Sequence, residues 1–380
     1  MYVVRTESIR NGMRLGRTIS VTGKVLLHAG VELRTSYIEP LLRQGIAAVY
    51  IIDELVPDVA PADVVAPETR ESVKRNLQAV TASLAPMFAD ATRRGAKYVS
   101  VQLDTQRLVQ SVDKMVREIQ KNPEAVVNLQ DIRTADEYTL SHSVNVCVLS
   151  VLLGTIMEYS EPQLHDLAVG AVLHDIGKIT TPPEILNKPG ILTSDEYRII
   201  QQHAANGWNI LFEQRGIPPA SAAMARQHHE RWCGGGYPDG LKGEKIYRYA
   251  RICAVADCFD AMTADRVYRK GFSAAKALEL MQTEMKGYFQ PELLFSFLQC
   301  VAPYPVGSMV EITEGYQAVV VEVRRGKNSR PKIRLVRRPD GTPMPDQPEI
   351  DLYTRSSIEI LRTIEPGNGE GGQSHLIRVI

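Results

Sequence analysis

At 380 residues the chain is too long for one ordinary compact domain and suits two or three. Its 44% apolar residues can bury a sizeable core, while 44 basic and 44 acidic side chains leave a formal net charge of zero, so nothing in the total charge argues for a nucleic-acid or membrane partner and no DNA partner is expected. No unbroken apolar run approaches the roughly 20 residues of a membrane span, Met1–Arg5 lacks the apolar core of a secretory signal, and the five cysteines form no CxxC pair; a cytoplasmic protein with reduced thiols and no membrane span is expected.

In chain order, residues 1–55 read as a small α+β unit, with strands at Thr18–Val21, Lys24–His28 and Ala47–Ile52, a turn at Thr22-Gly23 and a short helix at Tyr37–Arg43. Pro57, Pro61 and Pro67 mark a linker, and the stretch 56–128 is otherwise helical. Val73, Leu77, Val80, Leu84 and Met87 keep a 4-3-4-3 spacing, repeated by Leu108, Val112, Met115 and Ile119. That stripe suits either two helices packed on a core of their own or the interface of a homodimer, and Pro86 should kink or end the first helix. Residues 129–300 are helical by pattern, with Leu167 and Ala171 on one apolar side of a helix through Leu164–Ile176. From 301 the pattern becomes β-rich, with strands at Val310–Ile312, Ala318–Val323 and Lys332–Val336, turns at Gly315 and Asp340-Gly341, and a disordered Gly/Glu/Ser end. The fold class expected is therefore multidomain and mainly α: an α+β unit at 1–55, a linking helical segment at 56–128, an all-helical bundle at 129–300 and a β-rich extension at 301–380.

The histidines carry the chemistry. Five of eight lie at His142, His174, His203, His228 and His229, two of them with acidic neighbours in His174-Asp175 and His228-His229-Glu230, and Asp257 follows. One histidine in a helical protein is more often structural than a ligand, and His28, His165 and His375 are read that way. The cluster differs: imidazole and carboxylate together suit divalent first-row metals, and a pair of such ions sharing a carboxylate needs roughly six to eight protein ligands. His142, His174, Asp175, His203, His228, His229 and Asp257 supply that number.

Lys178, on one helical face with His174, can contact a phosphate oxygen or the shared carboxylate. The segment His228–Gly240 cannot continue a helix through three glycines and Tyr237-Pro238, so a loop starts at a ligand pair and stays near the site. Beyond Asp257, Arg266 and Arg269 are spaced to face one way and grip a phosphodiester, or else to form a solvated basic face.

His174-Asp175-Ile176-Gly177-Lys178, His228-His229-Glu230, Gly236-Tyr237-Pro238 and the run Ala256–Thr263 resemble the HD-GYP subfamily of the HD metal phosphohydrolases, over residues 130–290. The resemblance implies an all-helical catalytic bundle, two or three iron or manganese ions, and hydrolysis of cyclic di-GMP to pGpG and in some members GMP. It implies attack on phosphorus by a hydroxide shared between metals, with Asp175 as bridge. His174, Asp175 and Lys178 become the catalytic group, and Lys178, Arg266, Arg269 and Tyr237 the substrate contacts. Glu137 stands where three-metal members carry glutamate, so it joins the seven as a ligand, at or before a helix start. The loop of Tyr237 and Pro238 is also a surface for a partner protein. Cys233, Tyr247 and Val267 depart from the usual pattern of the family, outside the ligands. A phosphohydrolase for another cyclic dinucleotide or nucleotide and a non-catalytic nucleotide sensor are the competing readings; the intact ligand set favours catalysis.

Overall fold

The structure, a computed structural model, describes the whole chain except residues 22–23, 45, 47, 53–55, 60–62, 94–101, 123–137, 189, 213, 265–270 and 365–380. The N-terminal unit contains β1 (Tyr2–Arg5), β2 (Arg14–Leu15), β3 (Ile19–Val21), β4 (Lys24–Leu27), α1 (Ile38–Arg43) and β5 (Ala48–Ile52). β5 is the centre of an antiparallel sheet between β1 and β2, and β3 pairs with β4. Val4, Leu15, Ile19, Leu33, Leu41, Val49 and Ile51 form its core. β3, β4, β5 and α1 fall where the alternation and turns place them. β1 and β2 were not expected: both are short, and their pairing with the distant β5 leaves no local signal. The turn at Thr22-Gly23 lies outside the described residues.

α2 (Pro67–Arg93) and α3 (Gln106–Gln120) precede the bundle of α4 (Tyr138–Ile156), α5 (Glu161–Leu173), α6 (Pro183–Leu186), α7 (Ser194–Leu211), α8 (Pro219–Gln227), α9 (Arg248–Thr263), α10 (Ala274–Thr283) and α11 (Pro291–Cys300). α2 continues past Pro86 rather than ending there; a proline costs a helix one hydrogen bond, which the turns on either side can outweigh. Val73, Leu77, Val80 and Leu84 of α2 and Leu108, Val112, Met115 and Ile119 of α3 are buried in the same core as α4, α5 and α9. Their stripes are thus covered within one chain, though by the core of the bundle and not by a core of their own. Glu118 of α3 caps the start of α2, accepting from the Ala66 amide at 2.9 Å and Thr69 Oγ1 at 2.7 Å.

α4 is the central element, packed against α2, α3, α5, α9 and α11. Its stretch Thr139–Ile156 has a mean hydropathy of 1.6, so by length and composition this one helix among the described residues could cross a membrane, contrary to the expectation from unbroken apolar runs. With 72% of it buried in the fold it is here a core helix, its apolarity accounted for by neighbouring helices on every side.

The C-terminal sheet has the order β10 (Ile360–Thr363), β6 (Met309–Ile312), β7 (Gln317–Glu322), β8 (Lys332–Arg337), β9 (Glu349–Asp351), all antiparallel. Gly315 and Gly341, at φ +80° and +82°, occupy the expected turns. β9 and β10 are additional, lacking the alternation that marks β6–β8. Val56 and Val59 pack on Val319 and Val336, and Asp58 forms two bonds to Arg334 at 2.8 and 2.9 Å, which ties the linker to this sheet.

Candidate metal centre

Five segments converge on one buried point. α4 carries His142; α5 ends at Leu173, leaving His174 and Asp175 at its C-terminus; α7 carries His203; α8 ends at Gln227 with His228 and His229 next; α9 carries Asp257. The 3-10 turn at Ile176–Thr180 runs against α7. This corrects the expectation of a continuous helix through 174–178: Lys178 lies in the tighter turn, and its Nζ reaches back to Asp175 Oδ2 at 2.5 Å.

The local geometry aims the imidazoles. His174 Nδ1 donates to Ala171 O at 2.7 Å, His203 Nδ1 to Ile200 O at 2.6 Å and His228 Nδ1 to Ala225 O at 2.9 Å. Carbonyls only accept, so each Nδ1 holds the proton and each Nε2 presents a lone pair inward. His203 Nε2 and His228 Nε2 then face one another at 3.3 Å as two acceptors. Asp175 Oδ1 lies 3.4 Å from the first and 3.7 Å from the second. Asp175 Oδ2 lies 3.3 Å from His174 Nε2 and 3.8 Å from His142 Nε2, and Asp257 Oδ1 is 3.0 Å from His142 Nε2. His174 Nε2 and Asp175 Oδ1 are buried with no hydrogen-bond partner.

Converging lone pairs, with orphaned acceptors between them, fit a cation. Ligand atoms within 4.8 Å of one another form three groups: Asp175, His203, His228 and His229; His142, His174 and Asp175; and His174, His228 and Asp257. Asp175 belongs to two groups, as a carboxylate shared between ions requires.

The charges follow from burial and neighbours. Burial holds His203 neutral, down to about 3, aided by Lys178 and His228 against the pull of Asp175. Burial likewise keeps His229 well below the usual histidine range, with His228 and His203 adding to it. For His142 burial is outweighed by hydrogen bonds and charge from Asp257 and Asp260, which push it up to about 10. Asp175 and Asp257 are held below the carboxylate range despite burial, the first chiefly by Lys178 and His174, the second by His142.

A pH dependence follows. Below the unperturbed histidine value of 6.5 the unfolded chain takes up protons at residues 203 and 229, while native His203 stays neutral to about 3. The unfolded state binds more protons in that window, so stability falls with pH. The melting temperature of chelator-treated protein is expected to decline from pH 6.5 toward 4.5, and His203→Gln to flatten that slope. An equal slope in the variant would contradict this assignment.

The loop after His229 is held by Glu230, whose buried carboxylate accepts from the amides of Asp239 at 2.7 Å and Leu241 at 2.8 Å. Asp239 in turn takes two bonds from Arg226, both at 2.7 Å. Gly236 lies so close to the backbone of His229–Arg231 that a Cβ would come within 2.5 Å of His229 O. The loop therefore folds back, and the Tyr237 ring stacks on His229 with centroids 4.6 Å apart. Of the three departures, Cys233 is exposed, Tyr247 immediately precedes α9 with its amide on Gln227 Oε1 at 2.6 Å, and Val267 is outside the described residues.

All seven His and Asp residues expected to bind metal meet at this centre, with Lys178 and Tyr237 beside it. Glu137, Arg266 and Arg269 lie outside the described residues. α9 stops at Thr263, and Ala264 is extended, so the helix of Asp257 ends before the segment that carries the two arginines. Asp260 and Asn145 were missed: His142 Nδ1 donates to Asp260 Oδ2 at 2.7 Å, and Asn145 Nδ2 to Asp260 Oδ1 at 3.1 Å. Each lies three residues after a ligand on its own helix, a spacing that was available as a signal.

Residues 115–293 match the HD domain family, and residues 309–370 match a KOW domain associated with the HD domain. A cyclic di-GMP phosphodiesterase of Pseudomonas aeruginosa is 37% identical over 254 residues, 67% of this chain and 60% of that protein. A 3'3'-cGAMP-specific phosphodiesterase of Vibrio cholerae is 39% identical over 155 residues, 41% of this chain and 34% of that one. The chain thus spans less than two thirds of either relative. An HDG"Y"P protein from Bdellovibrio bacteriovorus shares the fold, with a TM-score of 0.50 at 17% identity, covering 78% of this chain and 97% of that one.

Proposed function

We propose, on the premise that this chain belongs to the HD-GYP group of HD-domain proteins, that it is a metal-dependent phosphodiesterase hydrolysing cyclic di-GMP to pGpG. The observation that carries the reading is the pair of imidazole lone pairs, His203 Nε2 and His228 Nε2, set 3.3 Å apart with the unpartnered Asp175 Oδ1 beside them. His142, His174, Asp175, His203, His228, His229 and Asp257 would hold the metal, iron or manganese. Bound divalent ions supply Lewis-acid charge and a water made acidic enough to yield a nucleophile near neutral pH.

The chain's own groups do the rest. The three backbone-anchored imidazoles are pre-oriented, each with Nδ1 on a carbonyl. Lys178, partly exposed and bonded to Asp175, is placed between the ligand cluster and solvent, where it can hold a phosphoryl oxygen. Tyr237 covers His229 and restricts water on that side. We assign Glu137 to a third ion and Arg266 and Arg269 to the phosphates of the dinucleotide, on the sequence resemblance. The Vibrio relative favours a second reading, a mixed cyclic dinucleotide as substrate on the same site.

The test is turnover followed by chromatography, with protein purified anaerobically and supplied with Fe²⁺ or Mn²⁺, and His174→Ala alongside. Conversion of cyclic di-GMP to pGpG or GMP, absent in the variant, is expected. Faster cleavage of 3'3'-cGAMP would move the assignment to the second reading. Binding of either dinucleotide without turnover by any metal would leave a sensor instead.

A further inference from the structure

We infer that Arg70, in the first turn of α2, is a positioning residue for His142, acting through Asn145 and Asp260. The inference rests on the metal-centre reading above.

Arg70 Nη1 donates to Asn145 Oδ1 at 2.9 Å, Asn145 Nδ2 donates to Asp260 Oδ1 at 3.1 Å, and His142 Nδ1 donates to Asp260 Oδ2 at 2.7 Å. The polarity of this chain of groups is settled by chemistry. A guanidinium only donates, so the oxygen of the Asn145 amide faces Arg70 and its NH₂ faces Asp260. A carboxylate only accepts, so the proton between His142 and Asp260 sits on Nδ1. His142 Nε2 is thereby turned toward Asp257 and Asp175, where a metal ligand must point. Of the other four histidines at the centre, His174, His203 and His228 are oriented by carbonyls of their own helix. His142 is oriented from another helix, by Asp260 of α9; Asp260 is bonded in turn by Asn145 of α4, which accepts from Arg70 of α2.

Asn145 and Asp260 are buried, at 1% and 0% exposure, so these bonds are shielded from competing water. Arg70 is only half-buried, and its helix start is fastened to α3 by Glu118. Just upstream, Asp63 pairs with Arg17 of the N-terminal unit at 3.1 Å, and Asp58 with Arg334 of the C-terminal sheet. The segment 58–70 thus contacts the C-terminal sheet at Asp58, the N-terminal unit at Asp63 and the polar chain to His142 at Arg70.

The test uses the full chain and Mn²⁺ itself, with affinity measured by chelator competition and melting temperature measured without metal. Arg70→Met keeps the aliphatic stem and removes the donor; Arg70→Lys keeps a donor. Arg70→Met is expected to weaken Mn²⁺ binding about 10- to 100-fold, as loss of a partner behind a ligand does, with Arg70→Lys recovering part of it. Asn145→Leu should weaken binding similarly, and the double variant no more than the worse single one, because both break one chain. A lowered melting temperature with unchanged Mn²⁺ affinity would make Arg70 merely structural and overturn the inference. Additive losses in the double variant would overturn it as well. Wild-type protein that binds no Mn²⁺ would overturn the metal centre, and this inference with it; equal binding by wild type and variants would overturn the relay alone.

Discussion

Asp175→Asn is expected to remove divalent-metal binding and to reduce phosphodiester turnover to background. The side chain keeps its shape, so the loss reports charge. Asp175 is the residue on which the site is centred: one oxygen faces His203 and His228, the other faces His174, His142 and Lys178. An amide there places an N–H or a neutral oxygen among cations and imidazole lone pairs. Lewis-acid activation contributes several kcal/mol, so its loss corresponds to a rate decrease on the order of 10³-fold or more. Metal analysis after desalting, a Mn²⁺ titration and turnover under anaerobic conditions measure it, with circular dichroism to show that the helices persist. A folded Asp175→Asn protein that retains its metal and its turnover would refute the site.

Gly177→Ala should be nearly as damaging, although residue 177 touches neither metal nor substrate. A Cβ there would lie 2.0 Å from His203 O and 2.5 Å from Gly207 N, both backbone atoms of α7. Backbone cannot turn aside as a flexible side chain can, so the 176–180 turn must lift from α7. Asp175 precedes that turn and His203 lies on that helix, so their 3.4 Å approach is lost with it. Overpacking of this kind costs about 1–3 kcal/mol of stability, occasionally more, and the Mn²⁺ affinity should fall with it. The partner position supplies the control. A Cβ on Gly207 meets Ala225 Cβ at 3.4 Å and Gly177 N at 3.5 Å, ordinary contacts, so Gly207→Ala should keep both metal and activity. Thermal unfolding and Mn²⁺ titration of the two variants side by side decide the matter; equal behaviour would exclude the close-approach argument.

The same two glycines show how differently parts of this protein are written in its sequence. Gly177 was quoted within a motif, yet nothing local says why a side chain is forbidden there. The reason is a helix that begins at Ser194 and crosses over it. β1, β2, β9 and β10 were likewise invisible, being strands of two to four residues whose pairing partners lie far along the chain. The helix α5 was legible from Leu167 and Ala171 on one apolar side, and β6–β8 because alternation repeats along a strand. The apolar stripes of α2 and α3 were legible as stripes, but what covers them was not. A periodic pattern states that a face is buried and leaves the covering surface open.

By itself the sequence determined the kind of donors, their order along the chain and the helical class of the segments that carry them. Five imidazoles, two of them beside a carboxylate, with Asp257 following within 116 positions of His142, are chemistry that residue types alone declare. The tertiary structure decided which nitrogen of each ring points inward, which carboxylate is shared, and that Asp260, Asn145 and Arg70 stand behind His142. Those choices rest on contacts between residues as much as 118 apart. Helical and strand periodicity are set by neighbours a few residues away, whereas convergence of side chains from separate helices exists only once those helices have packed.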